Sequence, residues 1–569
     1  MYSARNLTFI SIGVIIVLFL ISLYYGIISP PPLITYTTDE NFIGESGIFL
    51  LYGNTPRALE WAALPSTFIA YLLFIVWCGI SVISQFSGVH GFTDILTLID
   101  KNTFYYLNHR EEFIIWERLV QFTLIAFIIY KTIEVIIHSK SKALNSNTKL
   151  FLYILCLCMN VIWLSTQLIR PEALAGSLFL YIIVNILFSE TITPKFATTL
   201  IILFILTFTQ RLIYLFLSPF VIVSLLNHLR KYQIHWKTYF NYFGVVCLAF
   251  FALMPFIITD TLVVMKSFLG GLVTKVNHDP MATYFNMGYI NEFIAKPINI
   301  FFTIVALLGM WFLVKTHNSK IIAVFFIGNF LFYTFSSLKA SQLYPSHTFP
   351  LAVMAVVFIA FGLGNTIALN SKWKFWVILL LFLGTTTYDI YQNNKELTQQ
   401  QQNLADTVNW VKTLPKDEKI LCELSFDGLL PKNQTCLMRE YEANASDGYR
   451  MNKLQKLLKL PAIDSISKFK LPVVAQSFAF EDEKLFDTQY QVLLEYLNSD
   501  KVNRYDTDYF FVTNSNMSHC MVKEEAMQKF QAGKYHYLIT KEKITQYNAI
   551  KSFEKGGGDS FWVYEYKNL

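Results

Sequence analysis

Charge is what this chain has least of. Only 15% of its 569 residues are Asp, Glu, Lys or Arg, against 54% hydrophobic and 16% aromatic, and the mean hydropathy is +0.41. That balance excludes an ordinary soluble protein. Several runs exceed the roughly 20 apolar residues that cross a hydrocarbon core of about 30 Å, so the expected class is a polytopic α-helical membrane protein. The formal net charge of +6 is small. No block of Lys and Arg is interleaved with aromatics, which excludes a nucleic-acid surface and leaves the basic residues as loop charge. No Gly-rich nucleotide loop is present. No small-residue cleavage site precedes Ser29-Pro30-Pro31-Pro32, so the first apolar segment, residues 7–28, is expected to stay as an anchoring helix. Cysteine is sparse, with seven in the chain. Cys78, Cys156, Cys158 and Cys247 fall in apolar runs as core thiols, whereas Cys422, Cys436 and Cys520 fall in a polar tail and are open to disulfide pairing if that tail is extracytoplasmic.

Apolar runs follow at residues 61–83, 113–137, 150–168, 173–188, 197–209, 212–226, 239–259, 297–314, 321–337, 347–369 and 374–390. Basic residues cluster at 131–149, at Lys195, at 228–237, at 315–320 and at 372–374. Placing all of these on the cytoplasmic side lets the helices from residue 113 onward alternate without conflict. Residues 61–83 then begin and end on the outer side, as a re-entrant segment with Pro65 near its start and Gly79 near its end. The count becomes about eleven spanning helices among eleven or twelve hydrophobic ones. Residues 1–390 read as the transmembrane domain, with a first outer loop at 30–60, residues 391–418 as a helical or linker exit, and residues 419–569 as an extracytoplasmic α/β domain. In that domain strands are expected at 420–424, 509–513 and 561–566, and a helix at 488–497.

This topology brings five polar features to one face. The acidic pair Asp39-Glu40 follows the first helix directly, and two adjacent carboxylates are costly beside hydrocarbon unless they face a water-filled site. Arg57-Ala58-Leu59-Glu60-Trp61 comes next. Arg170-Pro171-Glu172 forms a tight turn between two apolar runs. Arg211 stands alone between two short apolar halves, where its guanidinium could hold phosphate oxygens in a bidentate fork or simply snorkel to headgroups. The loop carrying Lys275, His278 and Asp279 is joined by Lys339, Tyr344 and His347.

The ordered set, together with Leu338-Lys339-Ala340-Ser341-Gln342-Leu343-Tyr344-Pro345, resembles the integral-membrane glycosyltransferases of the GT-C fold over residues 1–390. The closest branch is that of the protein O-mannosyltransferases and the bacterial transferase that places aminoarabinose on lipid A. The resemblance implies Asp39 as general base with Glu40 beside it, and donor-phosphate contacts at Arg211, Lys275, Lys339 and Arg57. It implies substrate contacts at Arg170, Glu172, Trp61 and Tyr344. It also sets Glu60 and His278 at positions of metal-contacting residues, although Glu60-Trp61-Ala62 replaces the family's usual Glu-Lys-Pro. The tail resembles no named family.

The implied partners are a polyprenyl-phosphate sugar donor, a lipid, glycan or protein acceptor, and membrane lipid, with no nucleic acid. A divalent metal is the implied cofactor. The implied setting is a bacterial inner membrane with the site and the tail facing the periplasm. The competing class is a polyprenyl-lipid or glycolipid flippase, which would carry ionisable groups at mid-membrane, broken helices and inverted repeats. Here the charges gather at helix ends, with Glu134 as a near-interface exception.

Overall fold

A computed structural model describes residues 3–27, 110–140, 144–166, 171–210, 212–230, 232, 236–253, 297–317, 320–334, 345–369, 371–415, 418–423, 434–438, 473–475, 508–512, 517–555 and 559–568. The expected segment at 61–83 and the expected helix at 488–497 lie outside the described residues. The helices are α1 (Ala4–Ser22), α2 (Arg110–His138), α3 (Ser146–Leu157), α4 (Asn160–Ser165), α5 (Pro171–Phe188), α6 (Pro194–Gln210), α7 (Ser218–Leu229), α8 (Trp236–Leu253), α9 (Pro297–His317), α10 (Lys320–Thr334), α11 (Pro345–Thr366), α12 (Lys372–Lys412) and α13 (Lys523–Gln531). Five described helical stretches are long and apolar enough to cross a membrane: Ala4–Ile27, Ile115–His138, Ser146–Ser165, Pro171–Phe188 and Phe349–Thr366. Shorter apolar helices lie among them. Many large apolar side chains stay exposed on the bundle's outer surface, Phe240, Leu248, Trp311 and Leu381 among them, as a lipid-facing surface requires.

Two segments depart from the simple helices that their hydropathy implies. The run at 150–168 is divided at Cys158 and Met159 into α3 and α4. A break frees carbonyls, which hydrocarbon cannot solvate. Side chains supply the donors instead: Trp163 Nε1 donates to Leu157 O at 2.9 Å, and Thr386 Oγ1 of α12 donates to Cys158 O at 3.0 Å. The run at 212–226 starts as a 3-10 turn, Leu212–Leu217, before α7. Pro219 accounts for this, since it has no N–H for the preceding turn and is favoured only near a helix start.

The helix ends sort into two groups. Ser139 Oγ donates to Phe188 O at 2.8 Å, Lys149 Nζ to Ser139 O at 3.1 Å, and the His228 ring hydrogen-bonds Ile186 O at 2.9 Å. Asn147 Oδ1 accepts from Leu369 N at 3.0 Å. These contacts join the last turns of α2, α5, α7 and α11 to the start of α3 at a common, basic end. At the other end Phe19 of α1 meets Phe122 of α2 at 5.3 Å, and Phe122 meets Trp163 of α4 at 5.3 Å. Neighbouring helix directions therefore alternate as the basic clusters require.

Among its described residues the tail forms an eight-stranded mixed sheet in the order β3-β4-β5-β2-β1-β6-β8-β7, with β1 Ile420–Glu423, β2 Gln434–Met438, β3 Val473–Ala475, β4 Asp508–Val512, β5 Met517–Val522, β6 Tyr537–Thr540, β7 Lys551–Phe553 and β8 Phe561–Glu565. The three strands expected from sequence are β1, β4 and β8. Backbone register aligns Cys422 with Cys436 and Cys436 with Cys520 across β1, β2 and β5. Alternation sends Ile420, Cys422, Ile539, Phe561 and Val563 to one face, where Leu404, Trp410 and Val411 of α12 and Leu414 just beyond it cover them. Leu421, Leu538 and Tyr564 go to the other face with Phe530 of α13, the two-residue period of strands. The exit from the bundle is thus one continuous helix, the 41-residue α12. Beyond it, His536 ties the residue ahead of β1 to the end of β8, with Nδ1 2.6 Å from Glu418 Oε2 and Nε2 3.1 Å from Glu565 Oε1.

The tightest crossing is between α9 and α11. A Cβ on Gly309 would collide with Phe358 O, and one on Gly362 with Val305 O. Both obstacles are backbone, so neither can swing aside. Gly309→Ala or Gly362→Ala is expected to destabilise the protein by about 1–3 kcal/mol, the usual cost of overpacking. Gly244→Ala, whose Cβ meets nothing within 4 Å, should leave it unchanged. Thermal melting of the purified protein in detergent separates the two cases.

Candidate active site at the polar end of the bundle

Buried polar side chains collect at the end opposite the basic one. On the first turns of α2, Glu117, Arg118 and Gln121 are 7%, 4% and 2% exposed. Thr166 follows α4, Glu172 sits in the first turn of α5, Gln210 ends α6 and Tyr214 lies in the 3-10 turn, all of them buried. Ionisable groups in this setting are expensive and mark functional sites more often than structural ones.

Local sequence explains how each is held. α1 ends in a π-turn, Leu23–Ile27, a geometry that leaves carbonyls off the regular ladder and recurs at functional sites. Arg118 Nη1 donates to Gly26 O in that turn at 3.3 Å. Tyr25 packs edge-on against Tyr391 of α12, 5.3 Å between ring centres, so the α1 end is gripped from two sides just before the chain enters residues 28–40. Pro171 starts α5, a position where its missing N–H costs nothing, and puts the Glu172 carboxylate at a helix N-terminus, the end that favours negative charge. One turn further, Gly176 leaves room for Phe349 of α11, since a Cβ there would stand 2.6 Å from Phe349 Cδ1 and 3.6 Å from Tyr214 Oη. The start of α5, the 3-10 turn and the start of α11 therefore meet at one place.

Gln210 is the telling residue. It is fully buried, and neither amide atom has a hydrogen-bond partner. An unmatched buried amide costs about 1–3 kcal/mol per group, so the end of α6 is built to receive a polar ligand or ordered water. Elsewhere, Asn160 of α4 donates to Asp389 of α12, a second polar contact between helices. Glu134, by contrast, pairs with Lys131 at 2.7 Å and is part-exposed.

Of the residues singled out from sequence, Glu172 is described, and it is buried at this end. Asp39, Glu40, Arg57, Glu60, Trp61, Arg170, Arg211, Lys275, His278, Lys339 and Tyr344 lie outside the described residues. Their described chain neighbours Pro171, Gln210, Leu212 and Pro345 all belong to the elements just named. No group of three or more His, Cys, Asp or Glu side chains that could hold a metal occurs among the described residues. Sequence reasoning passed over Glu117, Arg118, Gln121, Tyr214 and Asp389. For the first three the signal was present, as polar residues at positions i, i+1 and i+4 inside a run read as apolar.

Fold and site together define a polytopic helical membrane protein with a buried polar site at one end and a sheet domain carried on its last long helix. Among solved structures, the chain is similar to the crystal structure of ArnT from Cupriavidus metallidurans bound to undecaprenyl phosphate, at 11% identity and a TM-score of 0.47, covering 81% of this chain and 90% of that one. It is likewise similar to ArnT from Cupriavidus metallidurans in the apo state, at 12% identity and a TM-score of 0.45, with the same coverage. No protein-family model matches, and no curated protein matches.

Arg118→Gln removes a buried cation that holds the Gly26 carbonyl. It is expected to cost about 1.5–3 kcal/mol, the usual worth of a hydrogen bond made by a charged group. Arg118→Lys should recover only part of the loss, because an ammonium cannot reproduce the planar fork. Melting temperature reads both effects.

Proposed function

We propose that this chain is a GT-C-type glycosyltransferase that moves a sugar from a polyprenyl-phosphate donor to an acceptor at the outer face of the membrane. The observation that carries the reading is the burial of Glu172, Gln210 and Tyr214 at the end of the bundle opposite the basic one, with the Gln210 amide unmatched. Those residues adjoin, along the chain, the Arg170 and Arg211 positions that the sequence pattern assigns to substrate and donor phosphate. The positive-inside bias puts the basic end in the cytoplasm, which leaves the polar end facing the periplasm of a bacterial inner membrane.

In the proposed reaction Asp39 accepts the proton of an acceptor hydroxyl or amine as that atom attacks the anomeric carbon. The bond from the anomeric carbon to the phosphate oxygen breaks, and its electron pair leaves on the polyprenyl phosphate. Glu40 beside Asp39 disfavours a second negative charge and so favours proton uptake. Arg211, aided by Lys275, Lys339 and Arg57, offsets the charge growing on the departing phosphate, an effect strongest where water is excluded. One displacement without a sugar-enzyme bond inverts the anomeric configuration. Arg170, Glu172, Trp61 and Tyr344 orient the sugar and the acceptor. Glu60 and His278 are the positions proposed to hold a divalent cation, which metal analysis of purified wild type against Glu60→Ala would detect.

Membranes carrying wild type or Asp39→Asn at matched levels, supplied with radiolabelled polyprenyl-phosphate sugars, provide the test. Asp39→Asn is expected to lower transfer by about 10²–10⁴-fold, the usual contribution of a general base, and Arg211→Gln to lower it while donor binding weakens. Equal transfer by wild type and Asp39→Asn would remove Asp39 from the mechanism. Label that changes leaflet without reaching any acceptor would overturn the transferase reading in favour of a flippase.

A further inference from the structure

The far end of α12 builds a second site, separate from the polar end of the bundle. Where α12 lies along the edge strand β7, a cavity of about 540 Å³ is lined by Asp406, Asn409, Trp410, Lys551, Phe553 and Lys555, within the range of about 300–1,000 Å³ typical of small-ligand pockets. Packing fixes its aromatic wall. Trp410 meets Tyr537 edge-on at 5.6 Å and Phe553 at 6.5 Å, yet remains part-exposed. Lys551, itself exposed, holds its ammonium 5.7 Å from the centre of the Trp410 ring and 5.3 Å from that of Phe553. The floor is set by Asn403, whose amide donates to Asp559 O at 3.1 Å.

We propose that this cavity binds an acidic oligosaccharide. A sugar ring presents one face of C–H bonds, weakly positive, which suits the negative π-face of a fixed indole. Its hydroxyls suit the short planar side chains of Asn409 and Asp406, which offer donors and acceptors without much rotamer entropy. The cavity's charges are two lysines against one aspartate, so one carboxylate or phosphate on the ligand balances the set. Lys551 supplies that contact by swinging from the rings on its flexible stem, so the sugar takes the place over Trp410 that the ammonium holds in the free protein.

Position argues for a long ligand. At 1.5 Å per residue, Trp410 lies about 28 Å along α12 from Tyr391, which packs on the end of α1. A single sugar at the polar end of the bundle cannot reach that far. A chain of several residues can, with its growing end at the bundle and its distal part here. The role of this site in holding the acceptor rests on the glycosyltransferase reading above; binding by itself does not.

The experiment is titration calorimetry on the full-length protein in detergent, with trigalacturonate, maltotriose, inorganic phosphate and a hexapeptide of glutamate as probes. Wild type is expected to bind trigalacturonate more tightly than maltotriose, with no comparable binding of phosphate or peptide. The exposed substitutions Lys551→Gln and Asn409→Ala should each weaken trigalacturonate about tenfold or more without lowering the melting temperature, and Gly244→Ala, far from both sites in the chain, should bind as wild type does. Trigalacturonate binding that is absent, unchanged in both cavity variants, or matched by the peptide would overturn the proposal. Intact binding in a protein that transfers no sugar would sink only the acceptor role and the transferase reading.

Discussion

Hydrocarbon solvates neither a bare carbonyl nor a bare charge, and this chain is organised around that constraint. Where α3 breaks into α4, Trp163 and Thr386 supply the donors that water would supply elsewhere. Where α1 unwinds into a π-turn, Arg118 reaches from α2 to a carbonyl at its end. Such contacts bind residues far apart in the chain, so each irregular backbone segment becomes a fastening point between helices. The same constraint drives charge to the two ends of the bundle. One end gathers lysine, arginine and histidine, joined by hydrogen bonds among helix termini. The other gathers a mixed set of buried polar groups, and among the described residues the amide with neither atom matched, that of Gln210, lies there.

α12 joins the two halves of the molecule without a flexible hinge. Its first turns carry lipid-facing residues such as Trp376, Leu380 and Leu381, its middle holds Asp389 and Tyr391 beside α4 and α1, and its last turns cover one face of the sheet. A continuous helix transmits position rigidly over its length. Past its end, His536 between Glu418 and Glu565 joins the approach to β1 with the end of β8. The sheet domain is therefore carried on the same helix that lines the polar end of the bundle.

Much of the bundle was legible in advance, because hydrophobic runs of membrane length have few alternative structures. The helices at 173–188, 197–209 and 297–314 emerged close to their expected limits, the run at 374–390 continued as helix to Lys412, and β1, β4 and β8 fell where alternation put them. The break in α3 was not legible. It depends on Trp163 and Thr386 being present to satisfy the carbonyls, and Thr386 is more than two hundred residues away. The site was partly legible. Glu172 could be chosen from its Arg-Pro-acid turn, but Gln210 and Tyr214 are unremarkable in sequence, and Glu117 and Arg118 were hidden inside an otherwise apolar run.

The sequence by itself determined the class of protein, the direction in which successive helices run, and the presence of a separate sheet domain, since composition, basic clusters and strand alternation are local properties acting through the solvent. Tertiary structure decided which helix ends meet, which polar groups are buried together, and that Trp410 both packs on the sheet core and forms a pocket wall. These are matters of contact between distant segments. No local pattern encodes them, because the physical cost that selects them, an unmatched polar group or a collision at a glycine, arises only once the helices are packed.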